Sequence, residues 1–532
     1  MGASLSSQTK ASTKLKKIVD EQYLLPRNLF VFFEQFTRKQ MKPTKTDAKV
    51  EPQLSNDKNR FKLSHTQLVS NRILQDVPPP LLTARVELIK QLNSSVTQLL
   101  KCVDLGDSQV LSAAVIAAKS AIATSYKLEL FRRRVMTHLD EDPRLNLRFN
   151  RSRAALHMIN PTHPDAMPLL KQLIEQVPKR SLNALKRDSV PWHVDLLGEG
   201  ATDAGGPARD LFTQTCLEIM HPSTGLFIMT PNKRAMEGPN QELLIPNSHA
   251  VSPVQQQMFI YSGVLMTIAF ISRLPQPFKF AEFVWAHFTG ANMTIEDIYS
   301  VDKPFETLMK QIEKGEIDEA ELEKCPRTFT VINSHGDSIE LFPGGGGVRV
   351  TVERLPEYTQ MCKKYRLREM KQQLDWLKEG ISYFFPPDAL FLLSPWELEL
   401  IVCGDNSVPV SELKKHCRFD SKDKSSKMLW QVLESFSAEE RMLFIKFATG
   451  RMGLPPPGSK WHSDLTITWV QSNVRDDVSM PLPTAATCSS TIRIPRYSTP
   501  EWMAKKIRAA ILFGVDIDTD RQVNFADIVQ LS

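Results

Sequence analysis

The chain has 532 residues, 42% hydrophobic and 24% charged, which is the composition of an ordinary folded protein with length for two to four domains. The net charge is +6, but residues 1–60 hold 12 Lys and Arg against 6 Asp and Glu, so the rest of the chain is balanced and lacks the basic excess of a nucleic-acid binder. Seven scattered cysteines with no C-x-x-C pair argue against a disulfide framework and a structural zinc site, and fit a reducing cytoplasmic or nuclear compartment.

Residues 1–60 are rich in Lys, Thr, Ser and Gln and read as a disordered basic tail with one apolar island, "QYLLPRNLFVFFEQF" (22–36), that predicts a short helix. The opening "MGASLSSQTKASTKLKK" fits the N-myristoylation pattern, with Gly2 after the initiator and Ser6 at the required spacing. Lys10, Lys14, Lys16 and Lys17 would supply the second signal that a single acyl chain needs for stable attachment. This predicts lipidation at Gly2 and peripheral contact with the cytoplasmic face of a membrane; the opposing reading is a solvated basic tail. No membrane-spanning segment is expected, because the most apolar run, 258–271, is shorter than the roughly 20 residues needed. Residues 1–19 also lack the apolar core of a secretory signal.

Residues 61–143 predict a helical extension, with apolar residues recurring at three and four in "PPPLLTARVELIKQLNSSVTQLL" and an Ala-rich amphipathic run in "SAAVIAAKSAIATSYKLELFRRRV". Next, "WHVDLLGEGATDAGGPARDLFTQTCLEIM" (192–220) reads as strand, turn and helix. Asp203 caps the turn, Gly205 and Gly206 free its backbone, and Pro207 opens a helix over 208–220. Neither glycine-rich phosphate-binding pattern is present. "FPGGGGVRVTVERLPEY" (342–358) reads as a hairpin loop between strand-like runs. "SPWELELIVCGD" (394–405) is a helix capped by Ser394 and Glu397, with Cys403 on its apolar side as an inert core thiol.

The segment 419–427, "FDSKDKSSK", is short and charged and reads as a hinge linker. Beyond it, 428–532 predicts a compact domain. It has helices at 428–436 and 437–450, the second with a Ser437–Glu440 capping box and a Gly450 stop. Strands follow at 465–470 and 491–495, and a last helix runs from Ser498 to about Leu512. Between the strands lies "PLPTAATCSSTIRIP" (481–495), whose Cys488 has neither a partner cysteine nor apolar neighbours. Pro481 and Pro483 stiffen the approach and Thr487 can fix the loop by hydrogen bonding. The nearest histidine along the chain, His462, lies beyond a predicted strand, so no protease-type Cys–His pair is evident. A thiol that exchanges onto a thioester needs no such base, because the small thiolate fraction at neutral pH suffices. Local sequence leaves both an accidental exposed cysteine and a reactive one open.

Taken together, "GEGATDAGGPARDLF", "YSGVLMTIAFISRLPQPFKFAEFVWAHFTG" with "TIEDIYSVD", "LFPGGGGVRVTVERLPEYTQMCKKYRL", "LSPWELELIVCGD", "FSAEERMLFIKFATGRMGLP" and "LPTAATCSSTIRIPRYS" resemble the HECT ubiquitin ligases over about residues 140–520, most closely the large HERC-like branch. The resemblance implies an α+β, bilobal module. A mostly helical N-lobe would span 144–418 and dock a ubiquitin-conjugating enzyme through a subdomain near 277–350. A hinge would lie at 419–427, and a smaller C-lobe at 428–532 would carry the acceptor cysteine. It implies ubiquitin, a conjugating enzyme and protein substrates as partners, with no cofactor and no metal. Ubiquitin would pass to Cys488 as a thioester, with Thr487 supporting the loop, and then to substrate lysines. Two features depart from the family pattern. Ala486 and Ser489 stand where members often carry His and Phe, and the chain runs on past Phe513, leaving Phe525 or Val529 for the role of the family's near-terminal aromatic. The alternative reading is a catalytically inactive HECT-fold scaffold that binds ubiquitin or the conjugating enzyme.

Overall fold

A computed structural model describes residues 124–134, 144–187, 189–199, 206–386, 388–405, 408–454, 464–474 and 476–513, with Asn93, Val115, Ile116, Lys119 and Ile122. The amino-terminal tail with Gly2, most of the 61–143 extension, Asp203, Gly205, His462, Phe525 and Val529 lie outside the described residues. The chain forms two compact units. In the first, α1 (Thr124–Arg134) buries Leu130 and Phe131, and Lys119 Nζ donates to the carbonyl of Leu393, 3.1 Å away.

The second unit opens with β1 (Leu145–Phe149), α2 (Arg151–Ile159) and α3 (Leu169–Gln176), followed by β2 (Trp192–Leu196), which pairs parallel with β1. Alternation drives β2: Trp192, Val194 and Leu196 are buried while His193 and Asp195 face out. Helix α4 (Gly206–Ile219) follows, with Phe212 packed edge-on against Trp192. From α4, the buried Glu218 carboxylate accepts the Leu169 and Leu170 N–H groups at 2.9 and 3.1 Å, satisfying the first turn of α3. Burial pushes Glu218 up to about 7 although both donors pull it down.

A short antiparallel pair, β3 (Phe227–Met229) and β4 (Leu244–Pro246), leads to α5 (Pro253–Ser272). This helix starts on a Ser252–Gln255 capping box and is 20 residues long. By length and composition alone it could cross a membrane, unlike the 14-residue run read from the sequence. Every residue from Met258 to Ser272 is buried in the folded unit, so it is the central helix of that core. Around it lie α6 (Glu282–Phe288), α7 (Lys303–Glu313), the hairpin β5 (Thr330–Ile332) and β6 (Ser338–Glu340), α8 (Leu355–Arg366), α9 (Lys371–Ser382) and α10 (Pro395–Cys403). The glycine cluster is not the loop of this hairpin. The hairpin turns at 333–337, and Gly345–Gly347 forms a separate 3-10 turn over Phe329, where a Cβ on Gly345 would come 2.8 Å from the Phe329 carbonyl.

The remaining elements are β7 (Cys417–Arg418), α11 (Lys424–Ser435), α12 (Ala438–Thr449), β8 (Leu465–Val470), β9 (Thr484–Ala486), β10 (Thr491–Pro495) and α13 (Pro500–Phe513). The sheet order is β7-β8-β10-β9, with β9 antiparallel and the other pairs parallel. The Ser437–Glu440 capping box and the left-handed Gly450 terminate α12 as its sequence predicts. A separate apolar cluster, including Leu429, Leu433, Phe444, Ile467, Ile492 and Ile507, fills the space between sheet and helices.

That cluster corrects the expected hinge at 419–427. Val408, Val410 and Leu413 already belong to it, and β7 pairs with β8, so the C-terminal fold begins before residue 419. Asp423 caps α11, accepting from Ser425 N at 2.8 Å, and binds Arg496 at 2.7 Å. Ser425 and Ser426 are buried in the first turn, where Ser426 Oγ accepts from Trp469 Nε1. The serines and lysines read as linker chemistry are helix-start chemistry. The chain passes from the helical body to the C-terminal cluster between Gly404 and Val408, both left-handed (φ +74° and +41°). A Cβ on Gly404 would sit 2.7 Å from the Leu454 carbonyl and 2.8 Å from Pro275 Cβ.

Two expected outcomes follow from this packing. At the crossing of α5 and α9, a Cβ on Gly263 would lie 2.1 Å from the Leu377 carbonyl, and one on Gly380 would lie 1.9 Å from the Ile260 carbonyl. Since neither neighbour is a flexible side-chain end, Gly263→Ala or Gly380→Ala costs about 3 kcal/mol or more, read as a lower urea midpoint. Arg496 holds the Asp423 carboxyl down at about 2. A carboxylate depressed in the fold contributes stability above its unfolded value, near 4, and loses it as pH falls through its folded value. The urea-midpoint gap between wild type and Asp423→Asn is therefore constant from pH 7 to 5 and shrinks from about pH 4 towards 2.

Candidate active site

The parallel sheet brings the beginnings of β7, β8 and β10 to one edge. Register sets Cys417 beside Leu465 and Thr466 beside Thr491, so the residue before β8, Asp464, faces the turn before β10. That turn, Thr487–Ser489, is one 3-10 turn between β9 and β10 and carries Cys488. The side chain of Cys488 lies outside the described ones. Ser490 ends the turn in the left-handed region (φ +49°) and is fully buried. Its N–H donates back to the Thr487 carbonyl at 3.2 Å, and its own carbonyl accepts Thr466 N–H at 2.8 Å. Ser489 Oγ lies 3.2 Å from the Ala486 carbonyl and 3.1 Å from Thr491 Oγ1. Here the residue that departs from the family pattern knits the turn to its flanking strands. Thr487 accepts through its main-chain oxygen.

The approach to the turn is pinned from α13. Lys506, fully buried, donates to the carbonyls of Val478 at 2.8 Å and Met480 at 2.6 Å. Burial depresses its ammonium, and Asp476 and Asp477 act against that. Tyr497 Oη donates to the Pro481 carbonyl at 2.7 Å. Asp477 accepts from Ser498 N at 3.0 Å and from the Ser498 hydroxyl. The proline segment therefore owes its shape to three main-chain carbonyls held by buried donors as much as to Pro481 and Pro483.

Cations gather on the same side. Arg209, in the first turn of α4, donates from Nη1 to the Thr487 carbonyl at 3.3 Å. Arg451, buried just after the Gly450 stop, is pushed down to about 10, first by burial and then by the charge of Arg209, with Asp464 opposing. His416, immediately before β7, is lowered by burial while Asp464 and Glu412 favour its charged form and Lys415 and Arg451 disfavour it. Sequence reading singled out none of Arg209, Arg451, Lys506 or Tyr497. Arg209 stands inside a quoted stretch, but its contact is 278 residues away along the chain.

Three of the other described thiols are poorly suited to nucleophilic work. Burial raises Cys216 well above its ordinary value, Cys362 to about 11 and Cys417 to about 12. Cys403 is buried as expected, with Sγ 3.5 Å from the Phe278 carbonyl. Cys325 is exposed at the end of a short helix. Among the described residues no group of three or more His, Cys, Asp or Glu side chains is arranged to hold a metal ion.

A profile of the HECT-domain (ubiquitin-transferase) family matches residues 213–516, more than half of the sequence, including this sheet and its turn. The chain belongs to the HECT-domain family. Its α+β architecture, a helical body followed by a small mixed sheet with its own apolar cluster, is that of a HECT module. The E3 ubiquitin-protein ligase HERC2 of Homo sapiens is 32% identical over 342 residues, 63% of this chain and 7% of the relative. The HERC2 of Mus musculus matches over the same share. The E3 ubiquitin-protein ligase HACE1 of Homo sapiens is 25% identical over 321 residues, 58% of this chain and 34% of the relative. The match thus spans about a fourteenth of HERC2 and a third of HACE1.

Proposed function

We propose that the chain is a transthiolating ubiquitin ligase whose acceptor is Cys488. The supporting observation is the turn itself: within a HECT domain, one cysteine lies on a main-chain-stapled turn at a sheet edge with two arginines beside it. In the first step the Cys488 thiolate attacks the carbonyl carbon of the thioester joining ubiquitin to a conjugating enzyme. A new C–S bond forms, the old one breaks, and the enzyme's cysteine leaves as thiolate. In the second step a neutral substrate amine attacks the same carbon. An amide forms, the proton leaves the nitrogen, and Cys488 departs as thiolate. Exchange between thioesters is close to isoenergetic and needs no dedicated base, whereas amide formation makes the second step favourable.

The conjugating enzyme is proposed to dock on the subdomain near 277–350, built around α7 and the β5–β6 hairpin. A swing of the C-terminal cluster between donor and substrate would act at the Gly404–Val408 connection, where one chain segment leaves the helical body, rather than at 419–427. The inactive-scaffold reading gains no specific support from the arrangement of the turn.

With Cys488→Ala, the ubiquitin adduct that is released by thiol reductant disappears from non-reducing gels and transfer to lysine stops, while the urea midpoint stays within about 0.5 kcal/mol of wild type. Cys403→Ala behaves in the opposite way, lowering stability by about 1–3 kcal/mol and keeping the adduct. A Cys488→Ala chain that still builds ubiquitin conjugates overturns the assignment of the thiol.

Localisation at a cytoplasmic membrane face through a myristoyl group on Gly2 is a separate proposal, carried by the M-G-x-x-x-S pattern and the four lysines behind it. Intact-mass measurement of the full-length protein from its native cells is expected to show the acyl mass, lost in Gly2→Ala together with salt-sensitive membrane binding. An unmodified glycine ends that proposal and leaves the ligase reading untouched.

A further inference from the structure

The carbonyl of Thr487 is the one main-chain group of the cysteine turn held, among the described residues, both from within the C-terminal cluster and from the helical body. It accepts Ser490 N–H at 3.2 Å and Arg209 Nη1 at 3.3 Å, so both of its lone pairs are engaged. This carbonyl belongs to the same planar peptide as the N–H of Cys488. Fixing it fixes the plane from which the Cys488 Cα–Cβ bond departs. Its donor is a guanidinium, whose rigid fork loses less freedom per hydrogen bond than a lysine would.

The charges around the turn are also specific. The last turn of α12 packs on the cysteine turn, where a Cβ on Gly450 would lie 3.9 Å from Thr487 Cβ. The carboxyl-terminal end of a helix carries partial negative charge, which opposes ionisation of a nearby thiol. Asp464, just before β8 and paired with Arg418 at 3.3 Å, is the acidic side chain that acts on Arg451 and His416. Against these stand Arg209 from α4 and Arg451 after α12, close enough that each disfavours the other's charge. Asp464 also acts on the Cys417 thiol, and His416 has Glu412 and Lys415 as its further neighbours. The two guanidinium groups bring positive charge to the turn, which favours a thiolate or the oxyanion of a thioester under attack.

We infer that Arg209 is a positioning residue for the acceptor cysteine, fixing the Thr487–Cys488 peptide from the helical body and setting the positive environment in which the thiol reacts. This inference rests on the reading of Cys488 as the acceptor. It assigns a task to the Gly-Pro-Ala-Arg-Asp stretch (206–210), which opens α4 and so delivers Arg209 from its first turn. Because Arg209 lies in the body and Thr487 in the C-terminal cluster, the contact exists only when the two are docked as they are here. It therefore assists the thiol in this arrangement.

The test uses the full chain as wild type, Arg209→Gln, Arg209→Lys and Cys488→Ala. Alkylation of Cys488 by iodoacetamide is followed from pH 5 to 10 by mass spectrometry of its peptide, with buried Cys216 as an internal reporter of folding. Transfer from a charged conjugating enzyme is followed in single turnovers. Arg209→Gln is expected to move the alkylation midpoint to higher pH and to slow thioester formation about tenfold, the scale of one charge-assisted hydrogen bond. The concentration of conjugating enzyme needed for half-maximal rate should not change. Arg209→Lys should recover most of the pH midpoint, since the charge remains, but only part of the rate. An unchanged midpoint together with an unchanged rate in Arg209→Gln overturns the inference. If Cys216 becomes reactive in the Gln variant, the Lys variant decides: a reduced rate with protected Cys216 supports the inference, and a wild-type rate overturns it. If Cys488→Ala still forms the reducible adduct, the acceptor assignment has failed, and that outcome is separate from either result at Arg209.

Discussion

The segment that carries Cys488 is held by its main-chain oxygens. Lys506 takes the carbonyls of Val478 and Met480, Tyr497 takes that of Pro481, and Ser490 and Arg209 share that of Thr487. A carbonyl is present at every residue, so this grip does not depend on the side chains along the loop. The loop can therefore carry Ala486 and Ser489 where relatives often differ and still present the same backbone. Ser489 even contributes a bond to each flanking strand. Donors reaching in from α13 and from the residues just before it fix this backbone through its carbonyls.

Such donors work only from a stiff base. In the C-terminal cluster the base is α13, which packs on α11 and α12 with Met503, Ile507 and Ile511 in the apolar cluster, while Lys506 reaches the loop carbonyls. In the helical body it is the pair α5 and α9, which approach until Gly263 and Gly380 leave no room for a methyl group. The β5–β6 hairpin is tied to this body by one buried cation. Arg366 pairs with Asp302 at 2.6 Å and Glu369 at 2.9 Å, and it donates to Ser334 Oγ and the Ile332 carbonyl. Removing Arg366 would leave two buried carboxylates without their shared cation.

The segment 419–427 shows how the same letters serve two purposes. Asp, Ser and Lys mark solvated linkers, and they also mark the first turn of a helix, where Asp423 satisfies free N–H groups. What separates the two is whether an opposing surface exists, here Arg496 just after β10 and Trp469 from β8. No window of ten residues contains that information. The glycine cluster at 344–347 is a similar case. Its glycines suggest a tight loop between strands, but Gly345 is needed because its backbone passes directly over Phe329, and Gly344 because it is left-handed (φ +80°).

The sequence by itself determined those features whose physical cause lies within a turn or two of chain. These are the alternation of β2, the capping box and left-handed stop of α12, the glycine-to-helix opening of α4, the burial of Cys403, and the ordered set of motifs that marks a HECT domain. Only the tertiary structure decided where the C-terminal fold begins, which donors hold the cysteine turn, and that Arg209 and Arg451 stand beside it. The reason is range. Helix caps and strand periods are set by bonds between near neighbours, whereas a parallel sheet gathers the starts of strands that are dozens of residues apart, and only its assembly brings their flanking charges to one edge.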